Sequence, residues 1–113
     1  MAFNASFEMT KKGIAKITLS GELDGSVASV FKTEVEKAAS QKAKRLVLLM
    51  SDLEYMSSAG LRVLVFAKQK MGANVDIYAV GVQEQVMEPI TMTGLHHSMT
   101  FLDAYDAATI EKM

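Results

Sequence analysis

Cysteine is absent from the 113 residues, and so is tryptophan. Without thiols there is no disulfide framework, no cysteine-ligated zinc and no thiol nucleophile. Proline occurs once, at Pro89, so no proline-rich linker divides the chain. Neither sign of charge dominates: 12 Lys and Arg stand against 13 Asp and Glu, a formal net charge of -1. A nucleic-acid footprint needs a clustered basic excess, and the short group Lys42, Lys44 and Arg45 does not supply one. Long apolar runs are missing as well. Leu46–Met50 and Val63–Ala67 are the longest, far short of the ~20 residues of a membrane-spanning helix, so direct membrane insertion is not expected. The opening Met1-Ala2-Phe3-Asn4 lacks the basic and apolar regions of a secretory signal. What the chain does have is 50% apolar and 22% charged residues, the balance of a folded globular protein. The expectation is a single cytoplasmic domain over residues 1–113 that needs no cofactor.

Hydrophobic periodicity sets the order of elements. Ser6–Met9 alternates, Thr10-Lys11-Lys12-Gly13 supplies a turn, and Ile14–Leu19 resumes the period of two, which predicts a β-hairpin. Gly21–Ser26 reads as a polar loop, with Asp24 or Ser26 as N-cap of a helix on which Val27, Val30, Phe31, Val35 and Ala38 recur at helical spacing. Arg45–Met50 is a continuous apolar run, the pattern of a central strand covered on both faces. A loop, Ser51–Ser57, then leads into a second helix over Ser58–Met71, closed by Gly72-Ala73-Asn74. Val75–Val80 predicts a strand. Val82–Thr93 predicts a helix that Pro89 kinks or splits, with Gly94 as its C-cap. A short strand within Ser98–Leu102 and a helix over Ala104–Lys112 complete the chain. This alternation predicts an α/β fold with a mixed sheet and right-handed crossovers. The second helix should be mostly buried, because Leu61, Val63, Leu64, Val65, Phe66 and Ala67 surround it.

Most enzyme chemistries find no foothold. No spacing among the acids singles out a pair of carboxylates across a cleft. His96 and His97 are the only histidines; being adjacent, they should diverge rather than converge on a metal. Met56-Ser57-Ser58-Ala59-Gly60 has methionine where a nucleophile elbow, G-x-S-x-G, needs glycine. No Walker lysine motif and no G-x-G-x-x-G is present. The chain is therefore expected not to be an enzyme.

Ser57-Ser58-Ala59-Gly60 nevertheless stands out, because it falls where a loop becomes an apolar helix. Plain capping accounts for Ser58 there: a serine oxygen accepts a hydrogen bond from a free amide of the first turn. The same free amides and the positive end of the helix dipole also tolerate an added phosphoryl group. Asp24 has a similar double reading, as a cap of the first helix and as a group exposed beside it. Met56, Met71, Met87 and Met92 suit gap-filling in the core or an adaptable contact surface.

Asp52–Leu64, with Gly21-Glu22-Leu23-Asp24 before the first helix and Gly94-Leu95 after the third, resembles the bacterial STAS-domain family, specifically its anti-sigma factor antagonists. The resemblance covers nearly the whole chain. It implies a four- to five-stranded mixed sheet flanked by about four helices and opening on a β-hairpin. It also implies a partner switch. The unphosphorylated antagonist binds an anti-sigma factor that is a serine kinase; phosphorylation of one serine breaks the complex; a PP2C-type phosphatase restores it. The acceptor position of the family pattern, Asp-Ser-Ser/Thr/Ala-Gly, is Ser58 here, with Ser57 as a second hydroxyl. The partner-binding residues implied are Asp24, Met56, Ser57, Ser58, Ala59, Gly60 and Arg62. Gly60 is expected to resist added bulk, which would project into the partner-facing loop or against the neighbouring strand. Two positions depart from the pattern: Ser57 replaces the aspartate before the acceptor, and Leu49 stands where many relatives carry Asp or Asn on the preceding strand. A STAS subunit that scaffolds a membrane lipid-transport or transporter assembly without switching is the alternative these departures allow.

Overall fold

The computed structural model describes residues 3–72 and 74–111. Five strands form one sheet in the order β1 (Asn4–Met9), β2 (Ile14–Leu23), β3 (Arg45–Met56), β4 (Asp76–Val80) and β5 (Thr100–Leu102). The hairpin β1–β2 is antiparallel, and every later pairing is parallel. Helices α1 (Ala28–Ser40), α2 (Ser58–Met71) and α3 (Glu84–Met92) carry the three parallel crossovers. A constant crossover hand and a steady advance across the sheet place all three on one face. Their Phe31, Val35, Val63, Leu64, Ala67, Val86 and Ile90 pack there on Ile17, Leu19, Leu46, Leu48 and Ala79. The alternate strand residues Ile14, Val47, Tyr78 and Val80 face the other way, against Ile110 of the short helix α4 (Ala107–Ile110). The mixed sheet, its opening hairpin and its four helices are those the sequence predicts.

Several boundaries differ, each for a physical reason. β3 does not stop at Met50 but continues to Met56, so Ser51–Met56 is strand rather than loop. Thr18 to Ser20 on β2 spans Leu49 to Asp52 on β3, and Gly21 to Glu22 spans Leu53 to Tyr55. Each irregularity inserts one extra residue into β3, as a β-bulge does. Buried positions therefore recur every third residue, at Met50, Leu53 and Met56, and the period of two that marks a strand is lost. Likewise Gly21–Leu23 is strand, not loop. Helix α3 begins at Glu84 rather than Val82 and runs unbroken through Pro89. Gly94, at φ 79°, takes the left-handed position after it. α2 has the predicted bounds, yet Val65 is exposed and Leu61 and Phe66 are only partly buried. Its covered stripe is narrower than its composition suggests. The last helix starts three residues later than predicted, and Lys112 lies outside the described residues. His96 and His97 do not diverge; in a 3₁₀ turn, Leu95–Ser98, their rings lie 4.0 Å apart.

The C-terminal segment is clasped onto the sheet. Arg45 on β3 donates to the carbonyls of Thr109 (3.1 Å) and Ile110 (2.6 Å). The Tyr105 hydroxyl donates to Glu111 at 2.6 Å, and Lys16 lies 4.3 Å from the Tyr105 ring centroid. Burial, then the bond to Glu111, pushes the Tyr105 phenol from 10.0 up to about 12. A pKa raised in the folded state contributes stability that is fully present below the unfolded value and lost as pH rises through the folded one. Mild loosening of this clasp between pH 10.0 and about 12 is the expected result. Tyrosinate absorbance followed during an alkaline titration checks it, with Tyr105→Phe as the variant that removes the step.

Candidate functional site

The parallel strands β2 and β3 end side by side, with Leu23 paired to Met56. Each then turns toward its helix. The Ser57 amide donates to the Leu23 carbonyl at 2.8 Å, tying the β3–α2 junction to the β2–α1 loop. The strand pairing and this bond together bring two loops distant in sequence to one end of the sheet. Asp24 follows Leu23 directly, and Ser58 follows Ser57.

Ser57, not Ser58, is the cap of α2. Its backbone is extended (φ -82°, ψ 174°) and its hydroxyl oxygen accepts from the Gly60 amide at 3.4 Å. Ser58 is the first residue inside the helix; it is exposed, and its hydroxyl makes no hydrogen bond among the described residues. The chain has thus divided the two roles that adjacent serines can play. One hydroxyl is held by the fold, and the other is free at the first turn. Ser57→Ala should accordingly lower stability by about 0.5–1 kcal/mol, the lower part of the range for losing a cap because the bond is long. Ser58→Ala should leave stability nearly unchanged. Chemical denaturation of both variants reads the difference.

Asp24 does not cap α1, and neither does Ser26. The residue before the helix is Val27, which makes no side-chain cap. Asp24 instead closes its own loop: its Oδ1 accepts from the Ser26 hydroxyl at 2.6 Å and the Ser26 amide at 2.9 Å. The Ser26 hydroxyl first, then its amide, holds the Asp24 carboxyl below the ordinary carboxylate value. The carboxylate is fully exposed, so a charge stands fixed at the same end of the sheet as Ser58.

The remaining predicted contacts divide by depth. Arg62 is exposed, Ser57 and Ala59 are half-buried, and Met56 and Gly60 are buried. Met56 and Gly60 therefore lie beneath the exposed residues of this end of the sheet. A Cβ on Gly60 would lie 2.8 Å from Met56 Cγ and 2.9 Å from Leu23 Cδ2. Added bulk would go against the strand ends, not into the exposed loop. Leu49 is also displaced from the site. It packs on the opposite face of the sheet with the Val47, Tyr78 and Ile110 cluster, as alternation from Val47 along β3 requires. The methionines serve different ends: Met50 and Met56 are buried, whereas Met92 is 79% exposed.

Sequence reasoning missed the α1 side of the site. A groove of about 280 Å³ runs between α1 and α2, starting beside Ser58. Ala28, Ser29 and Lys32 line it from α1, and Ala59, Arg62, Val63 and Phe66 from α2. The Lys32 ammonium sits 4.8 Å from the Phe66 ring centroid, a cation–π contact. The signal for the α1 half was the small Ala28 one turn before Lys32, but only packing says which helix lies opposite. Among the described residues no group of three or more His, Asp or Glu side chains could hold a metal, and no helix is long and apolar enough to cross a membrane.

Comparison with known proteins supplies the family. A curated relative, the anti-sigma-F factor antagonist RsfB of Mycobacterium tuberculosis, is 26% identical over 98 residues, covering 86% of this chain and 80% of its own. The crystal structure of an anti-sigma factor antagonist from Mycobacterium paratuberculosis superposes with a TM-score of 0.87 at 21% identity, covering 98% of this chain and 96% of that one. SpoIIAA superposes in its unphosphorylated form with a TM-score of 0.79 at 20% identity, over 96% of this chain and 94% of that one. The phosphorylated form of Bacillus SpoIIAA gives 0.72 at 19% identity, over 96% of this chain and 97% of that one. These likenesses establish the fold. The STAS domain model matches residues 9–108, from the end of β1 into α4, and so takes in both strand ends and both helices of the site: the chain belongs to the STAS domain family.

Proposed function

We propose that this protein is an anti-sigma factor antagonist whose binding is switched at Ser58. The unmodified chain binds an anti-sigma factor that is also a serine kinase, through the face formed by Asp24, Ser58, Ala59 and Arg62. Transfer of a phosphoryl group to the Ser58 hydroxyl ends the complex, and a PP2C-type phosphatase regenerates the binding form. The observation that carries this reading is the division of labour at the start of α2: Ser57 is engaged as the cap while the Ser58 hydroxyl is exposed and unengaged. A kinase can therefore take the Ser58 oxygen without dismantling the helix end. RsfB, the antagonist from Mycobacterium paratuberculosis and SpoIIAA, the last known in phosphorylated and unphosphorylated forms, lend the reading its class of partner.

The role needs no catalysis by this chain. Its parts are a presented hydroxyl, a fixed carboxylate at the same end of the sheet and a helix end that accepts an anion. Affinity capture from the native cell extract tests the reading. A serine kinase should be retained by the unmodified chain and released on addition of ATP, with the eluted chain heavier by one phosphate. Capture of a transporter ATPase with no mass change would support a non-switching scaffold instead.

A further inference from the structure

Arg62 stands four residues after Ser58 on the same helix. In an α-helix that spacing stacks two side chains on one face, with Cβ atoms about 5–6 Å apart. Arg62 also forms one wall of the groove between α1 and α2. Both cations at that groove, Arg62 and Lys32, are exposed, and neither has an ion-pair partner among the described residues. Between them the lining is the apolar Ala28, Ala59, Val63 and Phe66 together with Ser29, and among the described residues no carboxylate lines the groove. A surface of this kind, an apolar floor between two unpaired cations, complements an apolar side chain flanked by carboxylates.

Resting on the switch proposed above, we infer that the groove receives an acidic, apolar-centred segment of the kinase, and that Arg62 couples modification to release. In the unmodified chain Arg62 pairs with a carboxylate of that segment. Once Ser58 carries a phosphate, the guanidinium one turn away turns to the nearer and more highly charged group, for which its planar fork is well suited. Release then has two causes acting together. The phosphate repels the partner's acids, and the groove loses the cation that held them.

The phosphate half of this inference is testable on the chain alone. Phosphoserine inserted at position 58 during translation requires no kinase, and phosphorus NMR reads its second ionisation directly. The helix end favours the dianion in every variant, so the comparison isolates Arg62. In the otherwise unaltered chain the second pKa should lie below the ordinary value of about 6. Arg62→Gln should raise it by about half a unit or more, and Arg62→Lys should recover part of the shift. Equal values with and without the Arg62→Gln substitution would overturn the capture. The partner half uses the kinase retained in the capture experiment and the unphosphorylated chain. Arg62→Glu should weaken binding more than tenfold and Lys32→Glu should also weaken it, while circular dichroism shows both folded. Undiminished binding by both variants would overturn the groove as the docking surface. A phosphorylated chain that still binds the kinase, with the NMR shift present, would contradict the switch and leave the Arg62–phosphate contact standing.

Discussion

Gly60→Val should be the most damaging single substitution at this end of the molecule, and the damage should be to the fold. Gly60 is the third residue of α2, and its amide completes the Ser57 cap. Its α-carbon lies directly over the ends of β2 and β3, where a Cβ would sit 2.8 Å from Met56 Cγ and within 3.0 Å of two Leu23 atoms. Leu23 and Met56 are themselves 0% and 3% exposed, so neither can swing into solvent. Valine adds two further carbons to that contact. Overpacking of this kind costs ~1–3 kcal/mol and occasionally more, or roughly 5–15 °C of melting temperature for a chain of this size. Alanine should be milder, because it adds one carbon where valine adds three, although Met56 and Leu23 must still shift to admit it. Calorimetric melts of the two variants should therefore rank them wild type, Ala, Val. A Val variant that melts like wild type would mean that α2 does not sit this close to the strand ends.

Phosphorylation of Ser58 should have the opposite profile, with a large effect on binding and almost none on folding. The modification moves the net charge from -1 to about -3 at neutral pH. The fold accepts it because Ser58 is exposed in the first turn of α2, where amides and dipole favour an anion by ~0.3–1 kcal/mol. The neighbouring Asp24 carboxylate opposes this somewhat, across solvent and with screening. A partner packed on the same surface has no such compensation. It must desolvate or repel a dianion, at a cost of several kcal/mol, which corresponds to a loss of affinity of more than about 100-fold. Ser58→Asp should reproduce only part of the loss, since a carboxylate carries less charge and reaches less far. Ser58→Ala should bind whether or not ATP is present.

Much of this architecture is legible in the sequence, because one signal dominates each element. Alternation in Ser6–Met9 and Ile14–Leu19 gives the hairpin, and the polar-to-apolar step at Ser58 gives the start of α2 to the residue. The failures come where tertiary pairing overrides the local signal. The extra residues in β3 replace a period of two with a period of three, so half of that strand reads as loop. Val27 precedes α1 with no side-chain cap, and Asp24 is bound to Ser26 instead of to the helix. Leu49 belongs to the far side of the sheet with Val47, but a continuous apolar run covered on both faces does not say which of its faces looks toward the helices. Met56 and Gly60 sit in a motif that resembles a surface, but their depth depends on Leu23, a residue brought there by the pairing of β2 with β3. The groove between α1 and α2 leaves only a faint trace in the sequence, the small Ala28 one turn before Lys32, because packing alone says which helix lies opposite. Its walls come from two helices 30 residues apart by their first members (58 − 28).

Ser57 and Ser58 are proposed to do different work, one holding the helix end and the other carrying the switch. Phosphopeptide mapping of the chain after exposure to the captured kinase and ATP addresses it most directly. Phosphate on Ser58, with Ser57 unmodified and the modification lost in Ser58→Ala but kept in Ser57→Ala, is the predicted result. Phosphate on Ser57 alone, or on neither serine, would contradict it.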